Sequence, residues 1–190
     1  MPESGSLTIA GEHGYIPLSF NVAPEHVGVH WDVVSKSAKI AGRTPDRSNW
    51  RQIREIYVAD TAEKAREAVL NGFAAEFWDS YFQVIIERLS IEDFFRRADA
   101  PADLPVTAQY LVDCGTWFVG TPDQVTSQIL EQYDLSGGFG VLLQMGFDYA
   151  DPGSREGWMR SMELLATEVM PRVNTALANN SNNRRSPDPH

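Results

Sequence analysis

The sequence predicts an α/β fold in which buried parallel strands alternate with helices. Residues 121–145 contain one complete helix-to-strand unit. Thr121 is the expected helix N-cap, and Gln124 completes a capping box with it. Gly137–Gly138 ends the helix, because glycine adopts the left-handed conformation at low cost. The apolar run Phe139–Met145 follows, as is typical of a parallel strand covered on both faces.

The residues before this unit repeat the same alternation. A short helix is expected from Ser6 to about His13, and a strand at residues 15–20. Pro17 lacks a backbone N–H, so this strand is expected to be distorted or near an edge. A helix from Pro24 or Glu25 to about Ala41 and a strand within residues 53–59 follow.

A long helix is predicted from about Ala62 to Arg88, with Asp60 and Thr61 at its cap. Apolar side chains recur at every fourth residue of this helix, and most are aromatic: Ala65, Val69, Phe73, Phe77 and Tyr81. We interpret this stripe as core rather than as a cofactor-binding surface.

The remaining segments are less regular. Residues 90–112 read as an insertion of short helical pieces, and a last helix is expected at about residues 155–169. Pro171 should end or kink that helix near Met170. We therefore predict one domain over residues 1–178 and a polar, disordered tail over residues 179–190.

Composition narrows the classes of function. The formal net charge of −10 argues against nucleic acid or an anionic membrane as the main partner. No apolar run approaches the roughly 18 residues of a membrane span. The N-terminal glutamates argue against a signal peptide, and the single Cys114 fits a reducing compartment, so a cytoplasmic protein is expected.

Three stretches together resemble the C-terminal half of the bacterial-luciferase-like flavin-dependent monooxygenases, in the limonene-monooxygenase-like branch. They are PESGSLTIAGEHGYIPLSF at residues 2–20, WRQIREIYVADTAEKAREA at residues 50–68, and WFVGTPDQVTSQILEQYDLSGGFGVLLQM at residues 117–145, followed by LLATEVMPRV. The resemblance covers most of residues 2–175. It implies the C-terminal βα units of a partial TIM (β/α)8 barrel, with long helices and an irregular insertion.

The resemblance also implies a cofactor and a reaction. Ser4, Gly5 and Ser6 match the position at which the family binds the flavin phosphate, and a helix N-terminus favours a dianion. The implied cofactor is reduced FMN supplied by a flavin reductase, with the deazaflavin F420 as the alternative. The implied reaction inserts one oxygen atom from O2 into a small organic substrate.

Active sites of TIM barrels lie at the carboxyl ends of the strands, so we predict a substrate pocket near Trp117, Met145, Phe147 and Asp148. The same rule places Ser19, Asn21, Asp60 and Thr61 at this end of the sheet, although Asp60 and Asp148 are more typical of capping residues. No catalytic residue can be named, because the groups around the flavin ring belong to the family's N-terminal strands. His26 and His30 lie four residues apart, but no third ligand is evident and we predict no metal site.

Only three convincing strands are present, whereas a closed barrel needs eight. We therefore expect a fragment, which is either a truncated or split reading frame or one half of a barrel that a second chain or a homodimer completes. Two alternatives stay open: a non-catalytic flavin-binding or interaction module, and an inactive fragment that needs a partner chain.

Overall fold

Short parallel strands form the centre of the structure, a computed structural model that describes residues 5–146 and 152–183. The strands are β1 (Leu18–Ser19), β2 (Arg51–Arg54), β3 (Ile56–Val58), β4 (Phe118–Gly120) and β5 (Val141–Gln144). The α-helices are α1 (Gly5–His13), α2 (Pro24–Ile40), α3 (Ala62–Leu70), α4 (Phe73–Phe77), α5 (Gln83–Leu89), α6 (Ala108–Asp113), α7 (Pro122–Leu135), α8 (Pro152–Leu164) and α9 (Met170–Asn183). Two π-helical segments, Trp78–Phe82 and Leu165–Val169, connect α4 to α5 and α8 to α9.

β2 and β3 form one continuous stretch of chain that changes neighbours at Glu55. β2 pairs in parallel with β1 on one edge and with β5 on the other, whereas β3 pairs with β4. Met145 N donates to Arg54 O at 2.8 Å, and Phe118 N donates to Glu55 O at 2.9 Å. In a parallel strand, the backbone groups of successive residues point to opposite neighbouring strands. Arg54 bonds towards β5, so Glu55 bonds towards the opposite side, where β1 lies beside β2. β4 therefore lies on the same side of this stretch of chain as β1.

The helices cover this strand system through three apolar clusters. α1 and α2 pack on Trp50, whose ring lies 5.5 Å from that of Trp31. α3 to α6 enclose an aromatic cluster around Trp78 and Trp117. α7, the second π segment and α9 cover β3 and β4.

Most predicted elements are present, but several differ from the prediction. β4 was not predicted, because three residues are too short to show an apolar period. The helix predicted over residues 62–88 is divided into α3, α4, a π segment and α5, and its first break falls at Asn71 and Gly72, both poor helix formers. Its N-cap is Thr61, whose side chain accepts from Lys64 N.

The last helix passes through Pro171 instead of ending there. The π segment Leu165–Val169 precedes the proline, and its wider turn accommodates a residue that lacks a backbone N–H. α9 then continues to Asn183, so residues 179–183 of the predicted tail are helical. Residues 184–190 lie outside the described residues.

The strands at the two edges of the three-stranded sheet are only partly covered. Leu18 in β1 is 43% exposed and Val141 in β5 is 38% exposed. Tyr15 and Ile16, just before β1, are also exposed. The prediction that residues 139–145 are buried on both faces is therefore wrong for this chain, because no element among the described residues covers β5 fully.

Candidate functional site

An aromatic cavity of about 400 Å³ lies at the carboxyl ends of the parallel strands. Its volume falls in the range of small-molecule sites. The described residues that line it are mostly apolar, and one of them is charged: Phe20, Glu55, Phe73, Phe77, Trp78, Phe82, Met145 and Gly146.

Three different strands deliver residues to this cavity. Phe20 directly follows β1, Glu55 follows β2, and Met145 and Gly146 follow β5. Parallel strands in register place these positions at one edge of the sheet. In (β/α)8 barrels this edge carries the active site.

The opposite wall is formed by α4 and the first π segment. Trp78 and Phe82 occupy the two ends of the π turn, and their ring centroids lie 4.8 Å apart. Phe82 also lies 5.7 Å from Phe20, which joins the wall to the strand ends. Trp78 Nε1 donates to Val106 O at 2.7 Å, so the indole is held in place by the insertion. π turns inside α-helices occur frequently at functional sites.

Glu55 is the charged group of the cavity, and it is only 6% exposed. Asn21, which follows Phe20, donates a side-chain hydrogen bond to its carboxylate. Burial raises the pKa of Glu55 to about 7, because the charged form loses its hydration. The carboxyl group can therefore hold a proton near neutral pH.

Arg54 lies on the opposite face of the strand and anchors this arrangement from the helix side. Its guanidinium donates to Asn21 Oδ1 at 3.2 Å, Val22 O at 2.7 Å and Gln132 Oε1 at 2.7 Å. Burial lowers the pKa of Arg54 to about 10, so the group remains charged at neutral pH. Asn21 thus links the buried cation to the buried acid through its two amide atoms.

The predicted pocket residues occupy different places. Met145 lines the cavity. Trp117 is fully buried behind it and contacts Trp78 edge-to-face at 5.7 Å. Phe147 and Asp148 lie outside the described residues. Their roles in substrate binding stay predictions.

The predicted phosphate-binding residues lie at the start of α1. Gly5 and Ser6 are exposed in its first turn, and Ser4 lies outside the described residues. The space beside Gly5 is open, since a Cβ there would meet no atom within 4 Å. Leu7 belongs to the same apolar cluster as Val27 near the start of α2, and Arg43 just after α2 donates to Glu12 O near the end of α1. The two helices therefore run in the same direction, and the start of α1 lies towards the carboxyl ends of the strands.

The chain is similar to known proteins over most of its length. No protein-family model matches it. It is 34% identical to 3,6-diketocamphane 1,6-monooxygenase from Pseudomonas putida over 172 residues, which cover 90% of this chain and 44% of the relative. It is 29% identical to limonene 1,2-monooxygenase from Rhodococcus erythropolis over 170 residues, 87% of this chain and 40% of the relative.

One solved structure has the same fold as this chain over most of its length. It is the oxygenating constituent of 3,6-diketocamphane monooxygenase from Pseudomonas putida, described as a type II Baeyer-Villiger monooxygenase in complex with FMN. Its TM-score is 0.79 at 32% identity, over 91% of this chain and 47% of that chain. The chain belongs to the luciferase-like monooxygenase family. It spans less than half the length of these relatives, as an α/β fragment with parallel strands from a luciferase-like TIM barrel.

The part of the chain that the structure describes contains neither a candidate metal site nor a candidate membrane-spanning helix. No group of three or more His, Cys, Asp or Glu side chains is placed to hold a metal ion there. His26 Nε2 lies 3.0 Å from Arg96 O, and His30 Nδ1 lies 3.0 Å from Ser19 Oγ. In the same part of the chain, no helix has the length and apolar character that crossing a membrane requires.

Sequence reasoning missed the main features of this cavity. Phe73 and Phe77 were interpreted as core, yet both line the cavity, while Tyr81 of the same stripe is exposed. Glu55 was not singled out. A sequence signal for it exists, because Arg54 and Glu55 are adjacent charged residues between the apolar residues Ile53 and Ile56 of a predicted buried strand.

Proposed function

We propose that this chain forms one part of a flavin-dependent monooxygenase that uses reduced FMN and O2 to insert one oxygen atom into a small organic substrate. The observation that carries this proposal is the aromatic cavity at the carboxyl ends of β1, β2 and β5. The similarity to an FMN-bound oxygenating constituent supports it.

The cofactor-binding residues of this proposal are Ser4, Gly5 and Ser6. Exposed Gly5 and Ser6 at the N-terminus of α1 suit a phosphate dianion, because backbone N–H groups and the helix dipole favour negative charge there. When bound, reduced flavin supplies the activation of O2. The deazaflavin F420 is the alternative cofactor.

The substrate class follows from the cavity and from the relatives. Aromatic walls bind a compact apolar body and exclude water, while Glu55 offers a polar contact. Relatives named for diketocamphanes and limonene are in keeping with such a body. We propose a compact apolar ketone as the substrate of the complete enzyme.

The proposal includes two partners. A flavin reductase would supply reduced FMN, and the description of the relative as an oxygenating constituent supports a second component. The other barrel strands, on the same or another polypeptide, would cover the exposed edges at Leu18 and Val141.

Titration with FMN and with riboflavin tests the cofactor assignment, with flavin fluorescence as the readout. We expect FMN to bind more tightly than riboflavin, because riboflavin lacks the phosphate. Ser6→Ala should weaken FMN binding and leave riboflavin binding unchanged. Ser127→Ala is the matched control, since Ser127 is an exposed helical serine that donates to Asp123 O within α7. A parallel F420 titration distinguishes the two cofactors.

Equal affinity for FMN and riboflavin in folded chain would contradict the phosphate assignment. FMN binding without turnover, even with a reductase and the complementary half of the barrel, would favour the non-catalytic flavin-binding module instead.

Light scattering and ultracentrifugation test the completion of the barrel. We expect the isolated chain to self-associate, and the part of 3,6-diketocamphane monooxygenase that lies outside the match to convert it to a 1:1 complex. A stable monomer that ignores this added half would contradict the assignment of the exposed edges.

A further inference from the structure

Glu55 is the one titratable side chain among the described residues that line the aromatic cavity. The other lining side chains are aromatic rings and a methionine. A carboxyl group in such surroundings is costly unless it is held by partners or binds a polar group of a ligand.

The orientation of the carboxyl group is determined by Asn21. The Asn21 amide donates to Glu55, while its oxygen accepts from Arg54 Nη1. Because Arg54 occupies the oxygen side of the amide, Asn21 presents its N–H to the acid. Asn21 is itself completely buried, so this arrangement does not depend on solvent.

The other charged groups that the structure describes near Glu55 have partners outside the cavity or are exposed. Arg54 is on the helix side of the same strand, and His30 on α2 is bonded to Ser19. On the helical wall, Asp79 accepts from Ala108 N at 2.8 Å, and Glu76 and Tyr81 are exposed. Burial raises the pKa of Glu55 to about 7, so it is largely protonated at pH 6 and largely ionised at pH 8.

We propose that Glu55, in its neutral form, donates a hydrogen bond to the carbonyl oxygen of a compact apolar ketone bound in the cavity. This inference rests on the proposed function and assigns Glu55 as the ligand-binding residue that distinguishes a ketone from a hydrocarbon of the same shape. Asn21 is its positioning residue.

Calorimetric titration with two probes tests the inference. The probes are 3,6-diketocamphane and camphane, the hydrocarbon with the same skeleton and no carbonyl group. We expect the diketone to bind about tenfold more tightly at pH 6 than at pH 8, the ratio of protonated Glu55 for a pKa near 7. Camphane binding should not change with pH.

Variants identify the residue responsible. Glu55→Gln keeps a neutral donor, so the diketone should bind without dependence on pH. Glu55→Leu should reduce diketone affinity to that of camphane at both pH values. Glu76→Gln is the control, because Glu76 is an exposed glutamate of α4 outside the cavity lining, and it should retain the wild-type profile.

The outcomes separate this inference from the assignment of the cofactor. FMN binding together with pH-independent diketone binding would overturn the role of Glu55 and leave the flavin proposal intact. A chain that does not bind FMN but binds the diketone with the predicted pH dependence would contradict the flavin proposal and leave the role of Glu55 intact. A folded chain that binds neither probe, or a Glu55→Gln variant that retains the wild-type pH profile, also overturns the inference.

Discussion

β3 and β5 are parallel strands of similar apolar sequence, but β3 is buried and β5 is partly exposed. All three residues of β3 are buried, with Ile56 only 1% exposed, whereas Val141 in β5 is 38% exposed. On one face of β3, Tyr57 meets Trp158 of α8 edge-to-face at 4.9 Å. On the other face, Ile56 and Val58 pack with residues of α7 and α9.

The difference teaches that burial of a parallel strand is supplied by other elements rather than by the strand itself. β3 has helices on both faces, and Ser161 Oγ of α8 even accepts from Val58 N at 2.8 Å. β5 has β2 on one edge, and no strand among the described residues pairs with the other. We attribute the exposure of β5 to the share of the barrel, more than half, that the relatives have beyond this match.

The largest expected effect contrasts these strands directly. Ile56→Ala should lower the free energy of unfolding by about 2–5 kcal/mol, because it leaves a cavity in a covered core. Val141→Ala should cost below about 1 kcal/mol in the isolated chain. Urea denaturation of both variants checks this. If both variants lowered the free energy of unfolding by the same amount, β5 would be covered in solution.

The second prediction concerns Glu55, at the junction of β2 and β3. Its pKa is raised from 4.5 to about 7, so the folded chain binds a proton that the unfolded chain releases. The stability it contributes is fully present below pH 4.5 and is lost as the pH rises to about 7. At about 1.36 kcal/mol per unit, the loss is at most about 3 kcal/mol.

Glu55→Gln should remove this pH dependence, because glutamine does not titrate. Urea denaturation of both proteins at pH 5 and pH 8 measures it: the variant should gain stability relative to wild type at pH 8. A constant difference across this range would show that Glu55 titrates as an exposed glutamate.

A smaller effect tests α7, which covers β3. Thr121→Ala removes the N-cap and its capping box, and should cost about 1 kcal/mol. Thr126→Ala is the matched control, because Thr126 lies inside the same helix and bonds only to Pro122 O. Thermal or urea unfolding compares the two. If Thr126→Ala lowered the free energy of unfolding as much as Thr121→Ala, the loss of the N-cap would not explain the effect of Thr121→Ala.

The smallest effect is expected for an exposed ion pair between α7 and α9, the helices that pack on β3. Arg172 of α9 pairs with Asp123 of α7 and with Glu168, and all three side chains are well exposed. Arg172→Ala should cost below about 1 kcal/mol, since exposed ion pairs are screened by water and salt. Unfolding at low and at 1 M salt checks this, and a loss that persists at high salt would indicate packing instead.

Local chemistry made several elements predictable. The start of α7 follows from Thr121, Pro122 and Gln124, and the structure shows the complete capping box. α2 begins at Pro24, one of the two predicted first residues. Each of these features depends on residues within a few positions of one another, so the sequence carries the whole signal.

The site was less predictable because its members come from distant parts of the chain. Met145 was placed by the rule for strand ends, and it lines the cavity. The same rule placed Asn21 at this end of the sheet, but its partner Glu55 is 34 residues away in the chain. Trp78 reaches the cavity through a π turn that has no recognised sequence pattern. The aromatic stripe indicated burial but did not show what would be buried against it.

By itself, the sequence determined the alternation of helices and parallel strands, their caps and the family resemblance, because propensity, capping and periodicity act over short distances. Only the tertiary structure decided which strand is covered, where β1 is replaced by β4, and that Glu55 faces an aromatic cavity. Those properties arise when surfaces far apart in the chain meet, and the cost of burying a charge depends on all of them together.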